Sequence, residues 1–273
     1  MADTRDGRKA GDEPLRGIAF QLSATGLFSV SDAMAKRLGE SLPPVEIAWL
    51  RYLVFFGLSA IPILRRGGSR LLRSRAPGLQ VVRALGVVGS AILFILALRH
   101  LPLAEATAIN FVSPALITAL SVVFLGERVG WRRWTALGVG LLGALIVIRP
   151  GTEAFQIAAL LPVASSFCWA VAAVVTRRMA GVDPTETTLV WTAGVGFLML
   201  TAMLPFGVTM PTASQLGLGL LIGLVSSVAQ WLVVLAYRAA PASTLAPFSY
   251  AQLITSGLLG LVVFDAVPDG WTL

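Results

Sequence analysis

The chain has 273 residues, of which 56% are hydrophobic and only 13% charged, with a mean hydropathy of +0.81. A soluble domain is about 25% charged, so this composition excludes an ordinary soluble enzyme, a disordered chain and a disulfide scaffold. The excess of basic residues, a net charge of +7, is read as loop charge on a membrane protein rather than as a nucleic-acid surface.

A helical span needs about 20 mostly apolar residues. Read for such runs, the sequence predicts nine spans, at 16–36, 43–64, 80–99, 103–125, 131–148, 155–177, 185–206, 213–237 and 242–264. The runs are continuous, unlike the alternating ten-residue or so strands of a membrane barrel. The tail at 1–15 is polar and mixed in charge. It lacks the basic-then-apolar layout of a cleaved leader, so the first run is expected to persist as a span.

The first span carries Gln21, Ser23 and Thr25, then Asp32 and Lys36 near its far end. The second carries Glu46 and Arg51. Arg51 falls roughly 12 Å into that span, too deep to stay unpaired. Asp32 or Glu46 is expected to neutralise it, as a structural pair, as a substrate-carboxylate site or as a gate. The fourth span offers Asn110, Ser113 and Pro114. Pro114 is expected to kink the helix and free a carbonyl for water or substrate; a packing kink, with Asn110 bonding between helices, is the plainer alternative. Ala136, Gly140 and Ala144 in the fifth span form a small-residue stripe. It is expected to pack within the bundle of a monomer. The sixth span supplies Ser165, Ser166 and Trp169. Trp169 faces either substrate or lipid. The eighth supplies Ser226, Ser227, Gln230 and Tyr237, and the ninth Pro247, Ser249, Tyr250 and Gln252, with Pro247 a second expected kink.

Intramembrane polar groups usually face a cavity or the bundle interior. Gln21, Asn110, Ser113, Trp169, Gln230, Tyr250 and Gln252 are therefore the candidate substrate-binding residues, a set suited to a zwitterion with an apolar side chain. Trp49, Trp131, Trp134 and Trp271 lie near span ends, where interfacial anchoring is expected. The sequence shows no metal-ligand cluster, no phosphate-binding glycine loop and no nucleophile beside a base. No catalytic residue, metal or cofactor is expected. No acid stands clearly at mid-membrane, so tight proton coupling is not indicated; facilitated diffusion, or weak coupling through Asp32, is favoured.

With the N-terminus in the cytoplasm, 16 of the 21 Lys and Arg residues fall on the inner side and 4 on the outer, Arg51 being inside a span. This asymmetry predicts an N-in orientation in a bacterial-type inner, or plasma, membrane. The chain also resembles itself. Ala97-Leu98-Arg99 with Pro102 parallels Ala236-Tyr237-Arg238 with Pro241, and Val123-Phe124 with Trp131 parallels Val263-Phe264 with Trp271. Arg99 falls outside and Arg238 inside, so the repeats are inverted, a feature of carriers that alternate access.

Pro114-Ala115-Leu116 through Phe124-Leu125-Gly126-Glu127-Arg128, then Trp131 and Gly138 to Gly143, resembles the repeat of the EamA family in the drug/metabolite transporter superfamily. The second copy, Ala246-Pro247-Phe248-Ser249-Tyr250 through Phe264-Asp265-Ala266-Val267-Pro268, is similar. The resemblance implies an all-α polytopic protein of ten helices in two inverted five-helix repeats, here 16–149 and 150–273. It implies export of small metabolites, amino acids foremost, across the lipid bilayer. A proton-coupled drug or nucleotide-sugar carrier is the alternative within the family, and an intramembrane enzyme the alternative outside it. Asp265-Ala266 stands where the family pattern has Glu, so a helix-end Glu role transfers to Glu127 only. The tenth helix would begin where the sequence stops at Leu273, and the chain is expected to continue beyond it.

Overall fold

A computed structural model describes residues 13–65, 72–142 except 132, 133, 136 and 140, then 157–206 and 209–264. The long elements are α1 (Pro14–Gly39), α2 (Pro44–Arg65), α3 (Pro77–Leu98), α4 (Leu103–Asn110), α5 (Val112–Leu125), α6 (Leu160–Arg178), α7 (Thr185–Met203) and α8 (Ala213–Ala239). The short α9 (Ala242–Leu245), a 3-10 turn (Ala246–Tyr250) and α10 (Ala251–Phe264) complete the order. No strand occurs among the described residues.

Proline and capping chemistry set the starts. Pro14 and Pro77 occupy the first turns of α1 and α3, where the missing N–H is not needed. Pro102, Pro184 and Pro241 stand just before α4, α7 and α9. α8 opens on a capping box, in which Thr212 accepts from the Gln215 N–H and Gln215 accepts from the Thr212 N–H. α5 ends at Gly126, whose φ of +66° is a left-handed conformation that a side chain resists.

Among the described residues, seven helical stretches are long and apolar enough to cross a membrane. They coincide with seven of the nine expected spans. α1 is 26 residues long but falls outside the seven, its interior diluted by Gln21, Ser23, Thr25, Ser29 and Ser31. The expected fifth span, with the stripe of Ala136, Gly140 and Ala144, lies mostly outside the described residues, as does Trp271. The bundle is inside-out in character. Val123, Leu198 and Ile254 are 74%, 70% and 68% exposed, while Arg83 and Arg177 are buried. Water would penalise that apolar exterior and lipid would not, while the arginines, costly in lipid, are kept in the bundle interior.

Two of the expected spans are not single helices. The fourth breaks at Phe111 between α4 and α5, and the ninth breaks through the 3-10 turn between α9 and α10. Pro114 therefore does not kink a continuous helix, as expected; it lies in the first turn of α5, and Pro247 lies in the 3-10 turn. α1 packs along α8 and α3 along α6, with α2 held between α7 and α8. Glycine permits the closest of these approaches. A Cβ on Gly86 would lie 2.8 Å from the Cys168 carbonyl oxygen and 3.1 Å from the Ala172 Cβ.

Candidate substrate cavity

The amphipathic faces converge on one central cavity of about 100 Å³, room for several waters at the roughly 10–15 Å³ each requires. Helical spacing decides which side chains reach it. α1 contributes Gln21, Thr25, Phe28 and Asp32, each three or four residues from the next. α3 contributes Val87, Ser90, Ala91 and Phe94, and α8 contributes Ser226, Gln230 and Val233. α2 adds Arg51, Tyr52 and Phe55, and α6 adds Ser165 and Trp169. The two broken helices bring Thr107, Asn110, Phe111 and Ser113 from one half, and Ser249 and Gln252 from the other.

Six of the seven candidate binding residues, Gln21, Asn110, Ser113, Trp169, Gln230 and Gln252, thus share one wall. Tyr250 does not. Its ring packs against Phe111 with centroids 5.1 Å apart, and its hydroxyl donates to the Phe111 carbonyl at 3.5 Å, so it stands one layer behind the surface. Trp169 meets Phe28 edge to face at 5.8 Å and forms an aromatic corner inside the cavity rather than a lipid contact.

The carbonyl that Pro114 leaves without an i+4 donor is that of Asn110. Ser166 fills the gap. Its Oγ lies 3.0 Å from the Asn110 carbonyl oxygen and 2.6 Å from Asn110 Oδ1, fixing the amide at the cavity edge. The freed carbonyl is therefore bonded to protein, contrary to the expectation that it would await water or substrate.

Arg51 finds Asp32 at 3.8 Å, with both side chains 10% exposed, and lies over the Phe28 ring. Gln252 Nε2 donates to Asp32 at 3.4 Å. Glu46 is not the partner. Its carboxylate accepts from the N–H and hydroxyl of Thr209. The expectation that Asp32 lies out at a span end gives way to a carboxylate in the cavity wall, because α1 crosses the cavity at that turn.

Two amide groups in the wall are incomplete. Gln21 Nε2 donates to Ser249 Oγ at 3.0 Å, but Gln21 Oε1 has no hydrogen-bond partner, and neither does Gln230 Nε2. Both atoms are buried in this state; leaving such an atom unpaired costs about 1–3 kcal/mol, so a rearrangement of the wall that brings each a partner is favoured.

Behind the cavity, Gly126 turns the chain so that Glu127 points inward. Its carboxylate accepts from the N–H groups of Ala242 and Ser243 at 3.2 and 3.0 Å, and pairs with Arg177 at 3.9 Å. The helix-end role expected of Glu127 thus takes a definite form: one half of the chain caps the broken helix of the other.

Sequence reasoning missed the aromatic and apolar part of the wall: Phe28, Tyr52, Phe55, Phe94 and Phe111. In a chain this apolar, such side chains look the same whether they face cavity, neighbour or lipid. It also counted Arg83 only among the inner-side charges, although it falls within the expected span at 80–99; α3 begins at Pro77 and carries Arg83 inside, fully buried.

The profile of the EamA-like transporter family matches residues 15–149 and again 156–273. A riboflavin transporter of Rhizobium johnstonii is 34% identical over 94% of this chain and 83% of its own length. An S-adenosylmethionine uptake transporter of Rickettsia prowazekii is 25% identical over 93% of this chain and 86% of its own length. A solved protein structure superposes with a TM-score of 0.75 at 24% identity, covering 94% of this chain and 91% of that one.

Proposed function

The chain belongs to the EamA-like transporter family, and from that premise we propose that it carries a small neutral or zwitterionic metabolite through the central cavity. The observation behind this reading is the pair of incomplete amides. Gln21 Oε1 seeks a donor and Gln230 Nε2 an acceptor, and both stand in a wall that also holds the Trp169–Phe28 corner. Such a surface suits a cargo with a hydrogen-bonding edge and a flat or apolar part. Amino acids fit that description. So does the riboflavin for which one relative is named, while the S-adenosylmethionine of the other shares the hydrogen-bonding edge and flat ring but carries a net positive charge. The Asp32–Arg51 pair cancels its own charge and leaves no fixed preference for a charged cargo.

Transport in this reading proceeds by alternating access between two inverted halves, each with one broken helix at the cavity. Support comes from the matching Pro102 and Pro241 starts of α4 and α9. The protein works as a monomer, needs no gradient other than that of its cargo, and has its N-terminus in the cytoplasm. Even without the buried Arg83 and Arg177, fourteen basic residues remain on the inner side against four.

The test is flux in proteoliposomes for tryptophan, riboflavin and S-adenosylmethionine, with and without a pH gradient. At least one should cross down its own gradient, and Gln21→Leu and Gln230→Leu should each cut that flux about tenfold, the factor for one buried polar contact. Flux that vanishes without a proton gradient would overturn the facilitative reading. Full activity in both variants would place the binding surface elsewhere.

A further inference from the structure

Arg83 has no place in the cavity wall, yet it is among the most deeply buried charges in the chain. It lies on the second turn of α3 with no exposed surface. Nε donates to Thr176 Oγ1 of α6 at 2.7 Å, and Nη1 donates to Thr192 Oγ1 of α7. Those two hydroxyls in turn donate to backbone carbonyls one turn earlier in their own helices. The guanidinium is thereby held in one orientation. Its Nη2 is left with no hydrogen-bond partner, and no carboxylate pairs with it among the described residues. Hydroxyls satisfy donors but do not cancel a charge. A lone buried cation in a membrane bundle marks a substrate or ion path far more often than a structural post.

The surroundings form a continuous polar seam that is closed in this state. On α3, Gln80, Arg83, Val87, Ser90 and Phe94 follow one face. On α6, Ser165, Trp169, Ala172 and Thr176 do the same, and on α7 Thr185, Thr188, Thr192 and Gly196. The three faces meet. Ser90 and Ser165 join at the cavity, Arg83 joins Thr176 and Thr192 below it, and Gln80 reaches Thr188 and Asp183. Asp183 opens onto a surface recess lined by Arg73, Arg75 and Arg238. One turn from Arg83 on the same face, Val87 already lines the cavity, and Tyr52 of α2 packs at the seam beside it. Its ring lies against Gly196 and beside Val88, while its other side lines the cavity.

We propose that Arg83, held by Thr176 and Thr192, is a binding site for a small monovalent anion, reached from the cavity when the Tyr52 ring leaves Gly196. The open state it requires belongs to the alternating-access cycle above, on which the proposal rests. The vacant Nη2 edge fits one compact anion, either a free halide or a carboxylate carried by the cargo. Its arrival neutralises the buried charge and stabilises the state in which the α3–α6–α7 seam is open.

The test uses the full chain in lipid nanodiscs with no cargo, so it is independent of whether any flux is found. The Tm is followed while chloride, or acetate, replaces bulky gluconate at constant ionic strength, with acetamide as the neutral control. The wild type should show a saturable rise with chloride or acetate and none with acetamide. Arg83→Lys should keep the response. Arg83→Gln should shift its midpoint about tenfold or more to higher concentration, the factor for one charged hydrogen bond. Tyr52→Ala, which removes the cover and leaves Arg83 in place, should shift it to lower concentration. A response to acetate but not chloride identifies a cargo carboxylate as the source; a response to both identifies any small anion. A wild-type Tm indifferent to both anions overturns the proposal, even if Arg83→Gln fails to fold. So does an unaltered response in Arg83→Gln.

Discussion

Replacing Arg51 by Leu isolates the Asp32 carboxylate, and the structure sets the scale of the damage. At 3.8 Å, two unit charges in an effective dielectric of about 20 attract by ~4 kcal/mol. Burial of both ions offsets much of that, so the intact pair contributes little net stability. Removing one member is different, because the survivor keeps its burial cost and retains only the 3.4 Å hydrogen bond from Gln252. In soluble proteins such a loss costs about 3–5 kcal/mol. The pair lines a cavity with room for water, so the low end, about 3 kcal/mol, is expected here. At roughly 2–4 °C per kcal/mol for a chain of this order, Arg51→Leu should lower Tm by about 6–12 °C. Asp32→Asn should do the same for Arg51. The double variant should be no less stable than either single variant, a coupling of about 3 kcal/mol, at the upper end of what contacting residues show. Fluorescence-monitored thermal unfolding of the four proteins in detergent completes the cycle. Additive losses would refute the idea that the two ions support each other. A stable Arg51→Leu variant that has lost only cargo affinity would assign Arg51 to cargo recognition instead.

Asn110→Ala should lower flux about fivefold or more at a stability cost near 1 kcal/mol, since its backbone carbonyl still accepts from Ser166; Trp169→Ala should lower flux as much and cost about 3 kcal/mol, because it empties a packed aromatic site against Phe28. Flux equal to wild type in both would move the cargo off this face. Glu127→Ala should cost ~3 kcal/mol or more by uncapping α9 and unpairing the Arg177 contact, and Glu127→Gln about half of that; equal Tm values for the two variants would show that the charge is irrelevant. Gly86→Val should cost about 1–3 kcal/mol, because its Cβ meets α6 backbone that cannot move aside; an unchanged Tm would mean that α3 and α6 are less closely packed. Burial pushes the Asp183 carboxyl up, but hydrogen bonds from the Arg75 N–H, Ser74 and Gln80, with the Arg75 charge, more than offset it and hold the pKa below its ordinary value. Its stabilisation should be complete at neutral pH and fade as pH falls below about 4, through the folded-state pKa. Asp183→Asn should lack that acid-side decline in Tm, and a decline as steep as the wild type's would assign it to other carboxylates.

Much of this protein is legible in one dimension because a bilayer imposes a one-dimensional rule: about twenty apolar residues make a span. Among the described residues, seven of the expected spans are helical stretches of the required length and composition, two of them broken. Polar residues within such runs are conspicuous, so Gln21, Asn110, Ser113, Trp169, Gln230 and Gln252 could be picked out before any contact was known. Spacing along a helix gives a face but not the neighbour of that face. Whether Asp32 or Glu46 pairs with Arg51 depends on where α1 crosses α2 and where Thr209 lies, and only the packed bundle decides it. The break at Phe111 is equally tertiary. Pro114 is compatible with a kink or with a new first turn, and the Ser166 hydroxyl that completes the Asn110 carbonyl comes from a helix some fifty residues away. Tyr250 looked like a wall residue until Phe111 was seen in front of it. Arg83 is the sharpest case. In sequence it reads as one more arginine at a span boundary. Only the convergence of α3, α6 and α7 reveals a cation shut away from water, with one nitrogen still vacant.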